Sequence, residues 1–254
     1  NYQVGFHTHS NESRFDVDKT IERYGARPVQ VLEQLGLLAA PHTLLAHCVW
    51  LDDAEIQLLA DHGVGVAHNP VSNMKLASGA APIGAMLAKG IAVGLGTDGE
   101  KENNNLDMFE ELKTASLLAK HSNADAAALD AWSICRMATI DGARALGMQE
   151  TIGSLEVGKR ADMIALNTHT PRMTPLITSG QYMNLQHNLV HAAQGGDVAM
   201  TMVDGRVLVR HGELLCDDLS ETIRAANRAI GPLLARRDAW IASAGTAVNE
   251  LEKS

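Results

Sequence analysis

Ile91-Ala92-Val93-Gly94-Leu95-Gly96-Thr97-Asp98 is an apolar run that ends on a carboxylate. Aliphatic and β-branched residues suit a strand, and the glycines let a neighbouring element come close. Three earlier stretches are built the same way: Val64-Gly65-Val66-Ala67-His68, Thr43-Leu44-Leu45-Ala46-His47 and Val4-Gly5-Phe6-His7-Thr8-His9. Helical spacing lies between them. Residues 20–37 place Ile21, Tyr24, Val29, Val31, Leu32 and Leu35 at helical intervals, with Pro28 breaking the helix or starting a second one. Residues 52–62 read as a helix capped by Asp52 or Asp53, with Ile56, Leu58 and Leu59 inward and Gly63 closing it. Residues 82–89 run from Pro82 to a stop at Gly90. Residues 106–120 form a long amphipathic helix, and 130–146 hold one or two more. Apolar strands alternating with helices predict a parallel sheet buried on both faces. Each strand ends on a polar group, which is where a (β/α) barrel keeps its chemistry. A dinucleotide-binding sheet would need a Gly-rich loop after its first strand, and none follows.

The pattern changes after Leu146. Gly153, Gly158 and Asp162 punctuate a loop, residues 163–166 read as a strand, and Asp204-Gly205 between 198–203 and 206–209 signals a hairpin. Residues 220–253 return to helix. The 254 residues are 46% hydrophobic and 20% charged, enough apolar content for a packed core. A net charge of −9 argues against a broad nucleic-acid or anionic-lipid surface. No run reaches the roughly 20 apolar residues of a membrane span. Cys48, Cys135 and Cys216 are scattered and odd in number, which fits a reducing, cytoplasmic setting better than a disulfide framework. The chain opens on Asn1, a few residues before a core strand, so a longer protein is expected.

Five residues stand out: His9, Glu12, His47, His68 and Asp98. A neutral imidazole at a strand end suits a metal, and a carboxylate one loop step away suits proton transfer. Taken singly, each has an ordinary explanation as a core histidine, a turn residue or a helix cap. Together they set a His or Asp at the end of four successive strands.

The stretches HTHSNE (7–12), LAHCVWLDDAEI (45–56), VAHNPVSNMKLASGAAPI (66–83), GLGTDGEKENNNLDMFEELKTASLLAK (94–120), ATIDGARALG (138–147) and GSLEVGKRADMIAL (153–166) resemble the amidohydrolase superfamily. The likeness is to the branch of 5′-methylthioadenosine/S-adenosylhomocysteine deaminases and s-triazine hydrolases, and it runs to about Arg210. The resemblance implies one divalent metal per subunit, zinc or iron. His9 corresponds to the fifth-strand ligand and Asp98 to the eighth-strand ligand. It makes Glu12 the proton donor to a substrate ring nitrogen, sets His47 beside the attacking water, and brings His68 with the Asn69-to-Asn73 run near the substrate. Glu12, His68 and Asp98 are then substrate-binding, and Glu12, His47 and Asp98 catalytic. The implied reaction is hydrolytic deamination of a small purine-type molecule in a homo-oligomer. Another aminohydrolase or chlorohydrolase is the alternative within the class, and a non-catalytic remnant of the fold the alternative outside it.

His7-Thr8-His9 does not serve as the family's first-strand His-x-His pair. Only 98 − 9 = 89 positions separate His9 from Asp98, and a whole barrel takes about 250 residues. The expectation is therefore strands five to eight of a (β/α)8 barrel in 1–147, part of a small β-sandwich in 148–215 and helices in 216–254. Such a piece is expected neither to fold well alone nor to bind zinc tightly, since half a barrel has open edges.

Overall fold

The computed structural model describes residues 4–244. Strands β1 (Phe6–Ser10), β2 (Thr43–His47), β3 (Gly65–His68) and β4 (Val93–Leu95) form one parallel sheet in chain order. His9 pairs with Ala46, Ala46 with Ala67, and Ala67 with Gly94, so these four side chains share a face. The opposite face carries Leu45, Val66 and Val93, all fully buried. In chain order the helices of this half are α1 (Arg14–Tyr24), α2 (Pro28–Gln34), α3 (Asp53–Asp61), α4 (Pro70–Lys75) and α5 (Ile83–Ala88). Val29, Ile56, Leu59, Ile83 and Met86 come from α2, α3 and α5 and pack on Leu45, Val66 and Val93 as one core.

Three expectations are corrected here. The first helix starts at Arg14 rather than Thr20. Ser13 caps it, accepting from the Asp16 N–H at 3.1 Å while the Ser13 N–H donates to Asp16 Oδ2 at 3.0 Å. Pro28 does start a second helix. The Ile91-to-Asp98 run pairs only over Val93–Leu95. The Gly96 N–H still reaches His68 O at 2.9 Å, but Asp98 then turns into the left-handed region at φ 60°. The sheet is not buried on both faces either, because β1 is an edge strand with His7 and His9 exposed on the open side.

Past β4 come α6 (Glu100–Asn103), α7 (Met108–Asn123), α8 (Ala131–Met137) and α9 (Ile140–Ala145). Helix α9 crosses the open face of the sheet, and two glycines make room for it. A Cβ on Gly65 would stand 2.2 Å from Ala145 O, and one on Gly94 would stand 2.8 Å from Gly142 Cα. His42 Nε2 fixes the end of α9 by donating to Ala145 O at 2.8 Å. The expected β region is a single antiparallel sheet of β5 (Met163–Leu166), β6 (Val198–Val203), β7 (Arg206–Arg210) and β8 (Glu213–Leu214), with α10 (Leu185–His191) inserted after β5. Asp204 and Gly205 both take positive φ in the β6–β7 turn, as the sequence signalled. A second core of Phe109, Leu112, Ile134, Met173 and Val190 joins α7, α8 and α10, and Leu95, Leu166 and Val198 pack against it from both sheets. The last helix, α11 (Leu219–Ala244), exposes Leu219, Ile223, Ile230 and Leu233. The part of the expected helix beyond 244 lies outside the described residues. Among the described residues no helix is long and apolar enough to cross a membrane.

Candidate active site

The C-terminal ends of β1 to β4 open on a cleft of about 550 Å³ lined by His7, His9, His47, Asn69, Gly96 and Asp98 together with Thr8, Ala46 and Ala67. Glu12 lines an adjoining hollow that shares His9. His47 is the meeting point. Its Nε2 lies 3.8 Å from Glu12 Oε2 and 3.8 Å from Asp98 Oδ2, and its ring centroid lies 6.2 Å from that of His9. The sequence-predicted His9, Glu12, His47 and Asp98 are thus brought together.

Backbone geometry explains how His47 reaches the cleft. Its register partner is Ser10, so strict alternation would aim it at the helices. His47 instead adopts φ 70° and Cys48 φ 51°, which ends the alternation at the strand tip. His68 has no such reversal. It stays buried on the helix side with Nδ1 unpaired, and burial lowers its pKa to about 3. The next residue, Asn69, takes the cleft position expected of His68. Cys48 is fully buried, and burial raises its thiol, so it is no nucleophile.

Side chains that sequence reasoning passed over hold these groups. Asn73 Oδ1 accepts from His47 Nδ1 at 2.9 Å. With Asn73 Oδ1 as the acceptor, Nδ1 is the donating ring nitrogen, and Nε2 faces the two carboxylates. Ser72 Oγ donates to Asp98 Oδ2 at 2.6 Å, and the Gly99 N–H donates to Asp98 Oδ1 at 2.8 Å. Asn11, with φ 54°, donates its side-chain amide to both oxygens of buried Glu55 and to Trp50 O, which sets the loop that carries Glu12. Arg27 Nε and Nη2 each approach Glu55 Oε2 at 2.8 Å. The Asn-Pro-Val-Ser-Asn run marked Ser72 and Asn73, whereas nothing in the spacing marked Glu55 as buried.

His47 Nε2 stands too far from Glu12 Oε2 and from Asp98 Oδ2 to hydrogen-bond to either directly. A catalytic zinc site usually has three protein ligands and a water. Among the described residues no group of three or more His, Cys, Asp or Glu is arranged to hold a metal, so the donor set present is partial.

The amidohydrolase family model matches residues 1–208 of this chain. The chain belongs to the amidohydrolase family. A 5-methylthioadenosine/S-adenosylhomocysteine deaminase of Desulforudis audaxviator is 45% identical over 231 residues, covering 91% of this chain and 52% of that protein. A 5′-deoxyadenosine deaminase of Methanosarcina acetivorans is 46% identical over 236 residues, covering 93% of this chain and 52% of the relative. Among solved structures, an adenosine deaminase from Xanthomonas campestris with bound zinc superposes with a TM-score of 0.81 at 38% identity, over 87% of this chain and 49% of its own. An atrazine chlorohydrolase from Arthrobacter aurescens complexed with zinc gives 0.77 at 30% identity, over 89% and 49%. This amidohydrolase chain has an α/β fold of the TIM-barrel hydrolase type, and it spans about half the length of these relatives.

Proposed function

We propose that the protein is a metal-dependent hydrolytic deaminase of a purine-type substrate, 5′-methylthioadenosine or S-adenosylhomocysteine, that releases ammonia. The observation that carries this reading is His47 Nε2 standing 3.8 Å from both Glu12 and Asp98 at the ends of parallel strands. The names of the relatives at about 45% identity support the substrate class. We read β1 to β4 as strands five to eight of an eight-stranded barrel, and the antiparallel sheet as part of a small β-sandwich. The activity then belongs to a longer polypeptide that supplies the other strands, working in the cytoplasm as a homo-oligomer. The exposed apolar residues of α11 support assembly.

His9 and Asp98 would contribute two donors to one divalent metal, zinc or iron, whose part is to make water acidic enough to attack near neutral pH. The chain's own groups do the rest. Asp98, oriented by Ser72, accepts the proton of the attacking water. His47 accepts a hydrogen bond from the same water through Nε2, because Asn73 holds its proton on Nδ1. Glu12 protonates the ring nitrogen beside the amino-bearing carbon, so the tetrahedral intermediate does not carry a full negative charge there. The proton taken by Asp98 passes to the departing amine, and the proton left on the hydroxyl of the intermediate returns to Glu12 as the carbonyl forms.

The test is ammonia release by the full-length protein from 5′-methylthioadenosine, S-adenosylhomocysteine and 5′-deoxyadenosine, with atrazine as the dechlorination control. Turnover of a purine substrate is expected. Chloride release from atrazine without purine turnover would replace this reading with the triazine one. Glu12→Gln should keep the metal and lose turnover, and loss of metal in that variant would refute the role given to Glu12.

A further inference from the structure

Glu111, on α7, has no hydrogen bond to His9, Glu12, His47 or Asp98, yet it is fully buried and both its oxygens are engaged. Oε2 accepts from the Val71 N–H at 3.2 Å, and Oε1 accepts from Asn103 Nδ2 at 2.5 Å. Val71 lies in the first turn of α4, which follows β3, and Asn103 ends α6, which follows β4. Val71 begins a run in which the next two side chains grip the site: Ser72 holds Asp98 and Asn73 holds His47. Asn103 also donates to Thr97 O at 2.9 Å, immediately before Asp98, while its own oxygen accepts from the N–H groups of Asn105 and Leu106.

We propose that Glu111 is a positioning residue that closes a hydrogen-bonded ring, Glu111–Val71–Ser72–Asp98–Thr97–Asn103, and thereby holds the loops after β3 and β4 in the register the reaction needs. The ring demands an acceptor at both carboxylate oxygens. Val71 offers only a backbone N–H. Asn103 cannot turn its oxygen toward Glu111 without giving up the bonds to Thr97, Asn105 and Leu106. Glutamine has the same shape but one amide nitrogen, so wherever that nitrogen lies it meets a donor. Neither donor is a cation, and burial pushes the carboxyl up to about 7, as expected of an acid kept for its geometry rather than for an ion pair.

The inference rests on the deaminase reading for its kinetic arm only. The experiment compares wild type, Glu111→Gln and Leu112→Ala in the full-length enzyme. Leu112 lies in the second core on the same helix, packed with Phe109, Ile134 and Val190, so its truncation reports loss of core packing. Steady-state kinetics are measured beside amide hydrogen exchange across residues 69–76 and 97–107. Glu111→Gln is expected to lower kcat roughly 10- to 100-fold with KM within about threefold, the scale of a misplaced reacting group. It is also expected to speed exchange in both segments. Leu112→Ala, with an equal or larger drop in Tm, should do neither. Unchanged exchange in Glu111→Gln overturns the proposal. So does parallel loss of kcat and Tm in both variants. A wild type inactive on every purine substrate overturns the deaminase reading, and exchange at the two loops then decides the role of Glu111 by itself.

Discussion

Replacing Glu55 with Gln tests whether one buried carboxylate fixes the loop that presents Glu12. Glu55 is fully buried, at the third position of α3, and it gathers donors from three places in the chain. Oε1 accepts from the Val29 N–H at 3.1 Å and from Asn11 Nδ2 at 3.1 Å. Oε2 accepts from Asn11 Nδ2 at 3.0 Å, from Arg27 at 2.8 Å and from the Asp52 N–H at 3.2 Å. Every neighbour is a donor. A glutamine amide set at Oε2 faces the guanidinium of Arg27, and one set at Oε1 faces Val29 and Asn11. Either way two or three hydrogen bonds go, at about 1 kcal/mol each, and a guanidinium loses its buried partner. Breaking a buried ion pair costs about 3–5 kcal/mol, but Arg27 keeps 25% of its side chain in solvent and also reaches Asp52, so the lower part of that range applies.

The expected loss is about 2–4 kcal/mol, measured by urea denaturation of the full-length protein against Arg27→Met and the double variant. Because Asn11 keeps only one of its two Glu55 oxygens beside Trp50 O, its hold on the Glu12 loop weakens and kcat should fall further than stability alone explains, while the Asp98 side of the site is unaffected. The double variant should be less destabilised than the sum of the singles, since both remove the same pair. A Glu55→Gln protein within about 1 kcal/mol of wild type, or full additivity in the double variant, would refute the reasoning.

Gly65→Ala should destabilise by about 1–3 kcal/mol or more, because its Cβ collides with the backbone of Ala145 rather than a flexible side chain; an unchanged Tm would show that α9 does not lie on the sheet this way. Between about pH 4.5 and 6.5 two buried groups oppose each other, so the contributions of Glu111 and His68 to the pH dependence of stability nearly cancel there. Glu111, raised to about 7 by burial, stabilises below 4.5, and that contribution is lost as the pH rises through 7. His68, lowered to about 3 by burial, stabilises above 6.5, and that contribution is lost as the pH falls toward 3. His68→Gln should therefore unmask a steady fall in stability with rising pH in chemical denaturation, and a flat profile in that variant would count against the pairing.

Much of this was legible in the sequence because it rests on short-range signals. Strand runs, Pro28 at a helix start, Gly63 and Gly90 as stops and the Asp204-Gly205 hairpin all act within a few residues, and each appears in the fold. The missed features depend on distant partners. Glu55 and Glu111 sit in first turns of helices, where an acidic residue is ordinary, and only the fold reveals that Asn11, Val71 and Asn103 converge on them. Helix α1 begins early because Ser13 and Asp16 cap each other, a local signal that hydrophobic spacing alone overlooks.

His68 shows where pattern reasoning has a physical limit. Both His47 and His68 close an apolar strand, so they read alike in sequence. What separates them is one backbone angle. His47 and Asp98 take positive φ, a conformation that costs a non-glycine residue of order 1 kcal/mol and persists only where surrounding bonds enforce it. The enforcing bonds are present at both: Asn73 on the ring of His47, and Ser72 and the Gly99 N–H on the carboxylate of Asp98. Ser72 and Asn73 both belong to α4, whose first turn Glu111 grips through Val71. The strain at the two strand ends and the hydrogen bonds that sustain it therefore lead back to one short helix. His68 immediately precedes that helix in the chain and remains on the helix side of the sheet, neutral and packed, while the residues after it carry the polar groups of this part of the cleft.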